Sequence, residues 1–275
     1  MILPWLQFFR ISGMPSALTG SLLGCILAEL PLSSCILLGL AGAFFYCAGM
    51  GLNDIADLNR DRVRRPDRPL PSGILGLKQA LLVCLCLCLI SLGLAAICGL
   101  SHFLMALGLL VSIFSYNFYF KSHQLFSGLS MGLCRFFNYS MGIGLFLLME
   151  QPILLLPGLG LFFHVQYIME CSKGEDGIKK SQAKCVIMLT LSSMCLAPFS
   201  LMLGFLWFMP NLVLLLGKKD INSVIGSIHF VSLLVTAFSA LEAFFLFSLS
   251  HHAIGVVFLL IFLSSLMLKK KFPAG

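Results

Sequence analysis

Charge is what this chain has least of. Asp, Glu, Lys and Arg make up 11% of its 275 residues and hydrophobic residues 59%, whereas soluble domains carry about 25% charged residues. So much apolar surface cannot be hidden from water in one soluble core. With a mean hydropathy of +1.00, the chain reads as an integral, multi-pass membrane protein whose first partner is the lipid bilayer. Alternating ten-residue strands are missing, which argues against a transmembrane β-barrel. A P-loop, zinc-ligand spacing and a G-x-S-x-G elbow are missing too, which removes the common nucleotide, zinc and serine-hydrolase chemistries. No small-residue cleavage site follows Arg10 at signal-peptide distance, so the N-terminus is expected to be retained. Cysteine is not scarce: there are 11, mostly inside apolar runs. On a helix the run Cys84-x-Cys86-x-Cys88 spreads around the circumference, so these residues read as small hydrophobes rather than metal ligands or disulfide partners.

A helical crossing needs about 20 apolar residues. Runs of that length predict nine spans, at 11–30, 34–55, 79–100, 102–120, 127–148, 152–170, 185–207, 224–248 and 250–268. The piece 208–223 either extends the seventh or lies at the interface. The expected fold is an all-α membrane protein, one bundle of about nine transmembrane helices forming a single domain over 1–275. With the N-terminus in the cytoplasm, 13 of the 18 Lys and Arg residues fall on the cytoplasmic side and five (Lys218, Lys219, Lys269, Lys270 and Lys271) on the other. The positive-inside rule favours that orientation. The net charge of +7 is therefore a property of one membrane face, suited to anionic lipid, and no nucleic-acid partner is expected. Two long polar loops, 53–78 and 170–184, follow the second and sixth spans on that same side.

The first of them contains NDIADLNRDRVRRPDRPLPSG, residues 53–73. Asn53, Asp57 and Asp61 recur at i, i+4, i+8, so on a helix they stack one above another, with Asp54 about 100° round the axis. Carboxylates at the edge of a membrane are costly and mark function or pairing. Hard oxygen ligands suit Mg²⁺, which takes one or two carboxylates and completes its shell with water and substrate phosphate. Arginines just beyond supply forked donors matched to phosphate oxygens, and Pro66, Pro69 and Pro71 stiffen the segment that carries Arg65 and Arg68. Acids for a metal and arginines for an anion make a diphosphate site. A mixed-charge loop that only fixes topology would explain the arginines but not the register of the acids.

The run N-D-x-x-D-x-x-x-D-x-x-x-R-P-x-R-P-x-P-S-G resembles the first aspartate-rich motif of the UbiA superfamily of intramembrane prenyltransferases. Its ending is most similar to the chlorophyll-synthase and archaeal lipid-synthase branches. The resemblance implies a helical bundle around a central cavity open to lipid. In it Mg²⁺ joins a prenyl diphosphate to two acidic motifs, and the prenyl group passes to an aromatic or lipid-like acceptor. On that basis Asn53, Asp54, Asp57 and Asp61 are candidate metal ligands, Asp57, Asp61 and Lys121 candidate catalytic residues, and Arg65, Arg68 and Lys121 candidate diphosphate contacts. The active site is expected on the cytoplasmic face of a bacterial inner membrane.

The second motif departs from the family pattern. The stretch Tyr167-Ile168-Met169-Glu170-Cys171-Ser172-Lys173-Gly174-Glu175-Asp176-Gly177 keeps one acid at Glu170 but has Lys173 where a second is usual, with Asp176 displaced. Glu170 and Asp176 are further metal candidates, and Lys173 could contact the diphosphate itself. Either the chain is a prenyltransferase, or it is a non-catalytic prenyl-lipid binding or carrier protein with a degenerate second motif. Met131-Gly132-Leu133-Cys134-Arg135-Phe136-Phe137-Asn138 is similar to the EboC-like branch. Arg135, inside an apolar span, either caps the cavity or pairs with an Asp of the first motif, with Asn138 on the same face. His164, Tyr167 and Glu170 share a face of the sixth span, and Tyr167 is a candidate cavity contact. A secondary transporter is disfavoured because the acids lie at a span end rather than at the bilayer midplane.

Overall fold

The architecture was obtained as a computed structural model, which describes residues 2–123, 126–172, 182–196, 198, 255–261 and 263. Among the described residues all regular structure is helical. A short helix α1 (Ile2–Phe8) precedes a 3₁₀ turn at Ile11–Gly13 and α2 (Met14–Leu27). Then follow α3 (Leu32–Ala56), α4 (Leu58–Arg64), α5 (Leu77–Cys98) and α6 (Leu100–Ser115), the last continuing as a π-helical turn at Tyr116–Phe120. After it come α7 (Phe126–Ile143), α8 (Leu145–Glu150), α9 (Leu155–Ser172) and α10 (Gln182–Leu196). The first six predicted spans thus correspond to α2, α3, α5, α6, α7–α8 and α9. The segment 208–223, the span 224–248 and most of 250–268 lie outside the described residues, as does the end of 185–207.

Among the described residues four stretches are long and apolar enough to cross a membrane: Leu32–Ala56, Leu77–Cys98, Leu100–Phe120 and Pro152–Cys171. The fifth predicted span is not continuous. Gly144 breaks it at φ 86°, a left-handed backbone that only glycine adopts without strain, and α8 leaves in a new direction. The first span ends early for a related reason, since the chain turns at Glu29 with φ 53°. Leu77–Cys98 has only 22% of its apolar window buried within the protein. Its Leu, Ile and Val side chains face outward, as a lipid-facing helix requires.

The interior is built by close helix approach. Helices in lipid gain little from hydrophobic exclusion and associate through van der Waals packing at small residues. At the α2–α7 crossing a Cβ on Gly24 would fall on the backbone of Tyr139 and Gly142, and one on Gly142 on the backbone of Ser21 and Cys25. The buried core of the bundle includes Phe8, Leu38, Phe45, Leu52 and Tyr139. The helix α9 adds to the other side of α7, where Gln166 Nε2 donates to the Gly128 carbonyl at 2.6 Å. Next, α10 packs on α9, with Ser192 Oγ donating to Gly160 O at 2.9 Å. Gly142→Val should therefore force the two backbones apart, costing about 3 kcal/mol, the upper end of the usual overpacking penalty. Thermal unfolding in detergent reads this directly, and an unchanged midpoint would mean the crossing is looser than described.

Candidate functional site

At 25 residues, α3 is about 38 Å long at 1.5 Å per residue, more than the ~30 Å hydrocarbon core. Its last turn, with Asn53 and Asp54, is carried to the membrane edge. The i→i−4 ladder does not stop there. Asp57 N donates to Asn53 O at 3.0 Å, Asp61 N to Asp57 O at 2.9 Å and Arg65 N to Asp61 O at 2.8 Å. The helices α3 and α4 thus run on through Asp57, and the sequence register of the acids survives in space.

The structure groups those acids differently from the predicted single stripe. Asp54 and Asp61 are seven residues apart, two turns and within about 20° of the same direction, and one guanidinium serves both. Arg68 Nη1 lies 2.8 Å from Asp61 Oδ2 and 3.4 Å from Asp54 Oδ1. Asn53 and Asp57 form the second pair around Lys121, whose Nζ donates to Asn53 Oδ1 at 2.9 Å and to Asp57 Oδ2. Arg60, one turn along α4, also reaches Asp57 at 2.7 Å. Asp54 and Asp61 are buried and the side chain of Asp57 is 12% exposed, so these are ion pairs largely withdrawn from water.

Arg68 is placed by the proline-rich segment beyond α4. Its turns close with Ser72 N on Arg68 O (2.9 Å) and Leu75 N on Pro69 O (2.9 Å), while Leu70 and Leu75 are buried as anchors. Burial pulls the Arg68 guanidinium below its ordinary pKa, with Arg10 acting in the same direction. Arg65, three residues earlier, is exposed. Lys121 arrives from the opposite wall on the π turn, a wider spiral often found at functional sites. Burial lowers its ammonium pKa, and Asp57 opposes that shift. One turn before it, Asn117 donates to Gly49 O at 3.4 Å and Ile113 O at 3.0 Å, tying the turn to α3. Its buried Oδ1 accepts no hydrogen bond among the described residues.

Arg10, which reads in sequence as a topology-setting cation, stands in the site. Its Nη2 is 2.7 Å from Asp54 Oδ1, 44 positions away along the chain. Its own backbone is left-handed (φ 46°), and its carbonyl accepts the Tyr46 hydroxyl at 3.3 Å. The tyrosine ring fits there because position 13 is glycine, where a Cβ would strike its hydroxyl.

The remaining candidates make other contacts. Arg135 pairs with none of Asp54, Asp57 and Asp61. It donates to Ser16 O at 3.0 Å and Ser16 Oγ at 2.9 Å, and Asn138 donates to Ala17 O at 2.8 Å, so both clamp α7 to α2. Tyr167 is fully buried beside His164, ring centroids 5.8 Å apart. Glu170 is buried on the last turn of α9. Lys173 and Asp176 lie outside the described residues.

Among the described residues no three His, Cys, Asp or Glu side chains are gathered closely enough to hold a metal, because cations stand between the acids. The donor chemistry nonetheless fits Mg²⁺. Asn53 and three aspartates offer hard oxygens where α3 meets α4, and the described ion pairs engage one oxygen of each carboxylate. The ion needs only one or two carboxylates.

The fold and the site together define a helical membrane protein with acids and cations interleaved at one end of the bundle. The comparisons narrow the class. The UbiA prenyltransferase family matches residues 14–176, more than half of the chain, and the chain belongs to that family. It is 31% identical over 116 residues to the digeranylgeranylglyceryl phosphate synthase of Metallosphaera sedula, covering 41% of each chain. It is 47% identical over 53 residues to that of Methanosarcina barkeri, 19% of this chain and 18% of that one. The chain thus aligns with about two fifths or less of these curated relatives. Among solved structures, one of a digeranylgeranylglyceryl phosphate synthase superposes with a TM-score of 0.65 at 18% identity, over 90% of this chain and 99% of that one. A UbiA homologue from Archaeoglobus fulgidus bound to GPP and Mg²⁺ gives 0.64 at 14% identity, over 91% and 99%. At such identities the likeness is one of fold.

Arg68 is the only described cation paired with Asp61, and removing one member of a buried pair strands the other. Arg68→Ala should cost about 3 kcal/mol of stability, and adding Asp61→Ala should recover part of it. A double variant less stable than Arg68→Ala in detergent melts would show that the pair does not hold this end of the bundle.

Proposed function

We propose that the protein is an intramembrane prenyltransferase that moves a prenyl group from its diphosphate to an aromatic or lipid-like acceptor, with Mg²⁺ as cofactor. One observation carries the reading. Asn53, Asp54, Asp57 and Asp61 meet Arg10, Arg68 and Lys121 at one end of the bundle, the two chemistries a metal-bound diphosphate demands. Family membership supports it, and the name of the curated relatives favours a glycerol-phosphate lipid among the acceptor classes.

In this reading the diphosphate lies against Arg68, Lys121 and Arg10, with its apolar tail in the bundle. A bound Mg²⁺, held through Asp57, Asp61, Asp54 and Asn53, would supply charge neutralisation for the leaving group. The allylic C–O bond breaks and its electron pair goes to the diphosphate, where Lys121 and Arg68 donate hydrogen bonds to the growing charge. Such donors act more strongly in a water-poor site. The resulting allylic cation is captured by the acceptor's nucleophilic oxygen or carbon, which then loses a proton. The excess of Lys and Arg around the site supports a cytoplasmic position for this face.

The test is pyrophosphate release by detergent-purified protein given geranyl, farnesyl or geranylgeranyl diphosphate, Mg²⁺ and a panel of glycerol phosphates, phenols and quinone precursors. Asp57→Ala and Asp61→Ala should each reduce turnover at least 10²-fold while the fold is kept, in the range for loss of an electrostatic stabiliser. Full activity in both would sink the metal assignment. Tight binding of the donor without pyrophosphate release would favour a carrier protein, the alternative that Lys173 raises.

A further inference from the structure

The candidate metal ligands are engaged by the protein's own cations. Among the described residues four cations, Arg10, Arg60, Arg68 and Lys121, face three carboxylates, and the ion pairs fall on Asp54 Oδ1, Asp57 Oδ2 and Asp61 Oδ2. From this we infer an order of binding: the diphosphate enters first, without metal, and by drawing Arg10 and Lys121 off the acids it creates the divalent-cation site. The inference rests on the diphosphate reading above and adds to it which residues keep the metal out.

A divalent ion arriving alone meets like charges at bonding distance from the oxygens it needs. To take both oxygens of Asp54 or Asp57 it must displace Arg10 or Lys121, breaking an ion pair largely withdrawn from water. A diphosphate arriving alone meets the reverse situation. Its oxygens offer acceptors to the very groups that shield the acids, and each cation it takes frees a carboxylate oxygen.

Arg10 and Lys121 are suited to move, Arg68 is not. The side chains of Arg10 and Lys121 are 24% and 21% exposed, each a long stem reaching in from a separate wall. The backbone of Arg10 is pinned by Tyr46, so only its side chain need swing. Arg68 is held deeper between two acids and stays as their fixed counter-ion. Linkage makes the effect mutual: whatever factor the diphosphate adds to metal affinity, the metal returns to diphosphate affinity.

The test uses full-length protein in detergent, with inorganic pyrophosphate and Mn²⁺ as separate probes. Pyrophosphate binding is followed by calorimetry in EDTA, and Mn²⁺ binding without pyrophosphate by the paramagnetic signal of the free ion. The native protein should bind pyrophosphate in EDTA and take up Mn²⁺ alone only weakly. Arg10→Gln and Lys121→Met should each tighten Mn²⁺ alone at least tenfold and weaken pyrophosphate in EDTA by a similar factor. Arg10→Lys should behave as native on both, and thermal unfolding confirms that each variant is folded. If native protein binds Mn²⁺ alone as tightly as Arg10→Gln does, the cations are not a barrier and the inference falls. Pyrophosphate that binds only when Mn²⁺ is present overturns the order but leaves the proposed function standing. Pyrophosphate that binds under neither condition removes both.

Discussion

Everything at the polar end of this bundle depends on neutralising three carboxylates at the edge of a membrane. Asp54, Asp57 and Asp61 sit where desolvation is severe and where an unpaired charge would not be tolerated. The counter-charges come from separate parts of the chain: Arg10 before α2, Arg60 and Arg68 around α4, and Lys121 after α6. The ion pairs therefore do more than quiet the acids. They draw the chain before α2, the proline-rich segment and the π turn together around the end of α3, and so define the shape of the site. A weak point is built in, because the groups that balance the acids are the ones a ligand would recruit.

The membrane-spanning part and the polar part obey different physics. Along the span, α2 and α7 touch at glycines and serines, and contact comes from backbone proximity rather than from large side chains. Outward, α5 presents unbroken apolar surface to lipid. At the membrane edge the opposite holds: long side chains reach across gaps, and the tight elements are turns. Gly13, Tyr46 and Arg10 connect the two regimes. A missing Cβ admits a ring whose hydroxyl holds the carbonyl of the residue that reaches Asp54.

The fold's first half was legible because its helices are long and apolar and their ends carry charge or glycine. The register of Asn53, Asp54, Asp57 and Asp61 was legible too, since the helix runs on through Asp57. Spacing did not show that the pairs are Asp54 with Asp61 and Asn53 with Asp57; an i, i+4, i+8 reading favours three in a row and overlooks the i+7 alignment. Arg10 was legible only as a topology signal, because its partner lies far along the chain and nothing local marks it. Arg135 and Asn138 invited a functional reading because a cation inside a span needs a partner. Their described partners include Ser16 and the carbonyls of Ser16 and Ala17, and a backbone carbonyl leaves no trace in composition.

The seven-residue interval between Asp54 and Asp61 has a consequence for how this sequence can drift. Inserting or deleting one residue between them would rotate one acid by about 100° relative to the other, and a single guanidinium could no longer serve both. Substitution at Ile55, Leu58 or Asn59 leaves that alignment alone. The stretch should therefore accept changes of residue far more readily than changes of length, behaving as a ruler cut into the helix while the chain on either side is free to lengthen.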